Sequence, residues 1–356
     1  MKTISLCMIV KNEERVLGRC LESVKGLFDE IVVVDTGSTD KTVEIARAYG
    51  AKVFSFAWAN DFSKARNFSF SKATKDYLCW LDADDIVNLE QREEFFLIKR
   101  RLETNAPDAV FCRYECPVDA YTPPLSYLRE RFFKRSQNPV WRGVVHECVE
   151  VKGSRAYSDF TVTHQKSDTP RGTRNLDIYR NAIVSGAEFS ARDLFYYGRE
   201  LYYHRFYLEA IGVWEEFLAR TDGWSVNKIE ACKLLSQCYE LKRDTPRALT
   251  TLTRAFSFGA PRAGILCALA HLSLQSNQLS AAAEWYSLAL HCPSHEKDGD
   301  FETAADSRLT PLLGLTYCYY KMGKREQSKR FHEEAKTLFP THPSVVYNEK
   351  FFSSIT

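Results

Sequence analysis

Two hydrophobic rhythms divide this chain. Over residues 4–81, short apolar runs alternate with amphipathic stretches. Ile4–Val10 (ISLCMIV), Ile31–Val34, Val53–Phe56 and Tyr77–Leu81 are rich in β-branched and aromatic residues and stop at polar turns, so they predict buried strands. Between them, ERVLGRCLESVK, DKTVEIARAYG and DFSKARNFSFSKA have helical spacing. Thr39 and Asp40 can cap the second of these helices, and Gly50 ends it. Strand–helix alternation predicts an α/β domain over residues 1–165, built on a mostly parallel sheet with helices on both faces. In such sheets ligands gather at the carboxyl ends of the strands. Asp35 and Asp82 each lie just past such an end, so two acids point at one rim.

From about residue 190 the period changes. Four pairs of amphipathic helices are readable: 193–204 with 207–219, 229–241 with 245–257, 262–275 with 279–290, and 309–322 with 325–338. Small residues recur in the second helices at Ala210, Ala248, Ala282 and Ser328, with steps of 38, 34 and 46 residues. These scatter around the tetratricopeptide period of about 34 residues. A polar insert at 294–307 accounts for the longest step, and Pro340 closes the last helix. A helical repeat domain over 191–356, reached through a linker at 166–190, is expected; a non-repeating bundle would have the same helix content.

A length of 356 residues suits two domains. The balance of 48 basic and 46 acidic side chains, net +2, lacks the basic excess that marks a nucleic-acid partner. No apolar run is long enough to span a bilayer, and the N-terminus reads as a first strand rather than a signal peptide. The 11 cysteines form no Cys-x-x-Cys pair, which suits reduced structural thiols in a cytoplasmic protein.

The sharpest local chemistry is WLDADD. A strand that delivers Asp82-Ala83-Asp84 at its exposed end puts two carboxylates within reach of one hard cation, Mn²⁺ or Mg²⁺, and such ions also take phosphate oxygens. The stretch VVDTGSTD (33–40) carries the Asp-Thr-Gly-Ser string of aspartic proteases, but that chemistry needs two such loops. This chain has one, and it leads into a helix. A nucleotidyltransferase would show a glycine-rich loop after the first strand, where VKNEE stands instead. A scaffold with an inert front domain is the rival of another class.

The segments SLCMIVKNEE (5–14), CLESV (20–24), DEIVVVDTGSTDKTVEIA (29–46), DFSKARN (61–67) and YLCWLDADD (77–85), in this order, resemble the family 2 glycosyltransferases of the GT-A fold. The resemblance covers about residues 1–150. With WRGVVHE (141–147) and the helical tail, it extends to the branch of bacteriocin S-glycosyltransferases of the sublancin type. It implies a nucleotide-sugar donor, with a UDP-linked one expected, and a role for each matching position. Asp35 would accept a hydrogen bond from the base. Val10, Asn12 and Glu13 would line base and ribose, and Arg66 would lie along diphosphate or base. Asp82 and Ala83 would meet ribose or metal, and Asp84 would ligate the metal directly. Trp141 would wall the sugar pocket. Glu147 becomes the candidate base and His146 the candidate third metal ligand, roles that could be exchanged.

The Gln-x-x-Arg-Trp string of many family members is absent, which argues against processive synthesis. The resulting expectation is one sugar moved with inversion to a peptide or protein side chain, or else to a cell-surface saccharide or lipid-linked glycan. The helical tail would hold the acceptor or form a homodimer. His164, a loop histidine with no visible partner, carries little weight at this level. One measurement separates enzyme from scaffold: melting temperature with Mn²⁺ across UDP- and GDP-sugars. A rise with at least one donor is expected, and none with any donor favours the scaffold.

Overall fold

The computed structural model describes residues 1–165, 172–293 and 303–354, and they divide into two compact units. The first, 1–116 with 126–189, begins with β1 (Ile4–Val10), α1 (Leu17–Ser23), β2 (Glu30–Asp35), α2 (Thr42–Ala48), β3 (Lys52–Ser55), α3 (Phe62–Lys72) and β4 (Tyr77–Trp80). It continues with β5 (Asp85–Ile86), α4 (Arg92–Thr104), β6 (Ala109–Cys116), β7 (Leu125–Lys134), β8 (Trp141–Arg142), β9 (Cys148–Val149), β10 (Arg155–His164) and α5 (Arg174–Val184).

Eight strands make one sheet in the order β3-β2-β1-β4-β7-β6-β10-β5. Its first half is parallel, with Val10 opposite Asp35 and Cys7 opposite Trp80, so β1, β2 and β4 end at one rim. The second half mixes directions: β7 runs antiparallel to β4, β10 parallel to β6, and β5 antiparallel to the end of β10. That last pairing sets His164 opposite Asp85.

Alternation along β1 sends its side chains to two faces. Ile4, Leu6, Met8 and Val10 pack with α1, α2 and α4 through Leu17, Cys20, Ala46, Phe95 and Ile98. Cys7 faces the other way, into a core with Phe70 of α3, Trp80, Phe133, Trp141 and Val149. Helices thus cover both faces, as the alternation predicts, and the second core ties α3 to the small hairpin β8–β9.

The second unit, 117–125 with 190–356, holds α6 (Ala191–Tyr203), α7 (Tyr207–Ala219), α8 (Ser225–Leu241), α9 (Thr245–Arg254), α10 (Ala263–Gln275), α11 (Leu279–Leu290), α12 (Thr310–Lys321), α13 (Arg325–Leu338) and α14 (Pro343–Ser354). The four predicted pairs are α6–α7, α8–α9, α10–α11 and α12–α13, each packed within itself. Ala210, Ala248, Ala282 and Ser328, the small residues of the repeat, are all fully buried. Close approach also explains Gly198, where a Cβ would stand 2.3 Å from Trp214 Nε1.

Two features depart from the sequence reading, and two expected segments are not covered. Residues 166–171 of the expected linker and 294–302 of the polar insert lie outside the described residues. Within the rest of that linker stands α5, whose Tyr179 hydroxyl donates to the Val145 carbonyl at 3.3 Å. Past Pro340 the chain turns once more into α14, with proline at its first position, where a missing N–H costs nothing. Among the described residues, no helix is long and apolar enough to cross a membrane.

Glu30, buried near the N-terminal end of β2, ties three elements together. Its carboxylate accepts from Ser5 Oγ, Lys52 Nζ, and both the amide and the hydroxyl of Thr74. Burial alone would raise its pKa. The Lys52, Ser5 and Thr74 bonds outweigh burial and bring it from the usual 4.5 to about 2. A carboxyl depressed on folding stabilises the native state above its unfolded pKa and loses that contribution as pH falls through the folded one. The expected contribution is on the order of 3 kcal/mol. It should be complete above about pH 5 and fade toward pH 2. Urea titrations of wild type and Glu30→Gln at several pH values check this: the difference should shrink on acidification, and a pH-independent difference refutes it.

Candidate active site

The carboxyl rim opens into a cleft of about 370 Å³. Its walls bring together Val10, Glu13, Arg66, Asp82, Ala83, Asp84, His146 and Glu147 from the sequence-predicted set. Lys11, Trp58, Trp80, Tyr114, Arg129, His164 and Arg174 line it too. Asn12, Asp35 and Trp141 do not.

Arg66 lies at the centre. Asp61 caps α3 by accepting from the Lys64 amide, and this start aims Arg66 inward. Arg66 Nη2 donates to Asp82 Oδ1 at 2.8 Å, and Nε donates to Glu147 Oε1 at 2.5 Å. Its guanidinium stacks 4.7 Å from the Trp80 ring centre and 4.9 Å from that of Trp141. Burial pulls the Arg66 pKa down, but the Asp82 and Glu147 carboxylates override it and hold the group above its ordinary value. The next residue repeats the tie in neutral form. Asn67 Nδ2 donates to the Trp141 carbonyl, and the Trp141 amide returns a bond to Asn67 Oδ1.

These bonds seat the β8–β9 hairpin, where Trp141 pairs with Val149 and Arg142 with Cys148. Its tip, Gly143 to Glu147, turns through positive φ at Gly143 (99°) and His146 (53°), which swings His146 and Glu147 into the cleft. Trp141 itself is core, edge-on to Trp80 at 5.2 Å. It backs Arg66 instead of walling the cleft.

At the acid turn the two carboxylates predicted as metal ligands part company. Asp82 is bonded to Arg66, whereas Asp84 stands with Asp85 and His164. His164 Nδ1 lies 3.5 Å from Asp84 Oδ1 and 3.6 Å from Asp85 Oδ1, buried and without a hydrogen bond of good geometry. Its pKa rises to about 9, through Asp84 first and then Asp85, against the burial that would lower it. The imidazole beside the acid turn is therefore that of His164, not His146, which falls outside this cluster among the described residues. The signal was present in FTVTH: a β-branched run ending in histidine obeys the same rim rule as Asp35 and Asp82.

Once its proton is given up, an imidazole nitrogen 3.5 Å from a carboxylate oxygen fits a divalent cation. Two ligands about 2.1 Å from one small ion stand roughly 3 Å apart. Glu13 adds to the same demand. Burial and then the Asp84 charge raise it from the usual 4.5 to about 7, a push that a cation on Asp84 would relieve.

Asn12 and Asp35 shape the rim from behind. Asn12, at φ 57°, accepts from the Thr39 amide and donates its own amide to Ser38 Oγ. Asp35 accepts from the Gly37 and Ser38 amides, closing a turn that needs Gly37 at φ 105°.

Removing Arg66 would leave the buried Glu147 carboxylate and the half-exposed Asp82 carboxylate without their shared cation. Arg66→Ala should cost about 3–5 kcal/mol in urea denaturation. Adding Glu147→Gln should recover at least 1 kcal/mol or so, since coupled neighbours are non-additive. Additive losses would show that the two groups are not coupled.

Comparison with known proteins follows this geometry. Residues 5–156 match the family model described as Glycosyl transferase family 2. A TPR repeat-containing protein of Synechococcus elongatus is 40% identical over 151 residues, 42% of this chain and 36% of its own length. The SPbeta prophage-derived glycosyltransferase SunS of Bacillus subtilis is 29% identical over 212 residues, 56% of this chain and 49% of that protein. The chain thus spans half or less of the length of these curated relatives. Among solved structures, S. aureus TarS 1-349 in complex with UDP aligns with a TM-score of 0.42 at 16% identity, covering 70% of this chain and 90% of that one. Residues 5–156 thus resemble glycosyl transferase family 2, and the chain joins this family-like domain to a helical C-terminal region.

Proposed function

We propose that this protein transfers a single sugar from a UDP-sugar to an acceptor, with inversion at the anomeric carbon. One observation carries the reading. One rim cleft is lined both by Asp84 with His164 and by Arg66 with Asp82 and Glu147.

Asp84 and His164 would hold Mn²⁺ or Mg²⁺, which when bound neutralises the diphosphate that leaves. Arg174, at the cleft and stacked 5.0 Å from Phe62, adds positive charge there. Val10, Thr36 and the Lys11–Glu13 turn supply the wall for base and ribose. Asp35 keeps lone pairs beyond those its turn uses, enough to accept from a base N–H. Glu147, which gives one oxygen to Arg66 and lines the cleft, would take the acceptor's proton as the nucleophile attacks. Inversion follows from attack opposite the departing diphosphate. The acceptor we favour is a polypeptide side chain, because stacked helix pairs offer an extended surface suited to a chain.

The roles separate by mutation. Asp84→Ala and His164→Ala should each abolish Mn²⁺-dependent turnover of UDP-sugars while leaving the circular dichroism spectrum intact. Glu147→Gln should cut turnover at least about 100-fold. His146→Ala should keep its Mn²⁺ dependence; losing that dependence would return His146 to the metal. Full activity in Asp84→Ala would refute the cation site.

A further inference from the structure

Asp85, the last acid of WLDADD, has a different fate from its neighbours. It is fully buried, and three donors fill its carboxylate. Arg131 Nη1 reaches Oδ2 at 3.1 Å, the Asp82 amide reaches Oδ2 at 3.0 Å, and the Tyr114 hydroxyl reaches Oδ1 at 2.8 Å. Little capacity remains for a ligand, and Asp85 does not line the cleft. Arg131 is fully buried as well. It also donates to the Trp80 carbonyl at 3.1 Å, and its guanidinium lies 3.9 Å from the Trp80 ring centre and 4.4 Å from that of Tyr114.

As a stabilising device this pair is poor. Among the described residues, Arg131 Nε and Nη2 are buried without hydrogen-bond partners. Unpaired buried donors are costly, and apolar residues of similar volume commonly replace such pairs without loss of stability. What the pair does achieve is placement. It joins β7, the end of β4, the acid turn and, through the pairing of Asp85 with His164, the end of β10.

We propose that Arg131 is a positioning residue: through Asp85 it sets the Asp82–Asp84 turn and the His164 imidazole in the relation that the cleft uses. This rests on the reading that Asp84 and His164 hold a cation, but the placement itself can be measured without one.

The test uses the full-length protein with Mn²⁺ alone, followed by electron paramagnetic resonance, and amide hydrogen exchange without metal. Arg131→Lys should weaken Mn²⁺ binding at least about tenfold, in line with losing an outer-shell support. It should also speed exchange at residues 82–86 and 161–165, while exchange in α6–α13 stays unchanged. Tyr114→Phe keeps the ion pair and removes one bond to Asp85, so it should fold and show the same two changes in smaller measure. It decides the matter if Arg131→Lys fails to fold. Folded variants with wild-type Mn²⁺ affinity and wild-type exchange at 82–86 would overturn the proposal. If wild type itself binds no Mn²⁺, the cation reading fails instead, and exchange at 82–86 alone then decides the part played by Arg131.

Discussion

Carboxylates crowded at the end of a parallel sheet must be neutralised from within the protein, and most of this domain's less obvious choices follow from that. Asp82, Asp84, Asp85 and Glu147 converge where β4 ends. Two guanidinium groups meet three of them, Arg66 holding Asp82 and Glu147 and Arg131 holding Asp85. With Arg129, which pairs with Glu130, they gather around one indole: Arg131, Arg66 and Arg129 lie 3.9, 4.7 and 5.1 Å from the Trp80 ring centre. An aromatic face accepts a cation more cheaply than aliphatic surface does, and the planar fork leaves its edge free to bond carboxylates. Glu13 shows what happens otherwise. Among the described residues no guanidinium is bonded to it, and burial, then the Asp84 charge, push its carboxyl up to about 7.

This arrangement divides labour along the chain. Arg66 and Asn67 tie α3 to the acid turn and the hairpin, one by charge and one by neutral bonds. The hairpin tip can then adopt positive φ at His146 because both its feet are fixed. Across the cleft, α5 contributes Arg174 and steadies the same tip through Tyr179. Side chains from the sheet, a helix, a hairpin and a helix beyond it thus share one cavity.

Much of this was legible in the residues. The parallel half of the sheet is local: each strand is followed closely by its helix, so period and turn chemistry locate it. The four helix pairs were legible for the same reason. The acid turn and Arg66 were found because their segments hold a recognisable order. What stayed hidden depends on long-range pairing. His164 seemed a solvated loop residue because nothing in sequence links it to Asp84, and β10 reaches it only by pairing with β6 and β5. Nothing in the string WLDADD sets Asp85 apart from its neighbours; that it is the buried one follows from Arg131 and Tyr114 on distant strands. In α5 the apolar stripe is short, and it makes sense only against the sheet.

The pairing of Asp85 with Arg131 also bears on how the chain is born. The acid turn leaves the ribosome before its neutralising partner, which follows 46 residues later, and His164 comes later still. In the nascent chain these carboxylates stay solvated, since no cation is yet present to draw them inward. The rim can close only when β7 inserts beside β4 and β10 completes the far edge. Such non-local steps are slow, because loop closure precedes the contacts that reward it. The cleft therefore cannot be complete before His164 of β10 and Arg174 of α5 have been made, and a chain that stops short of them carries the motif without its site.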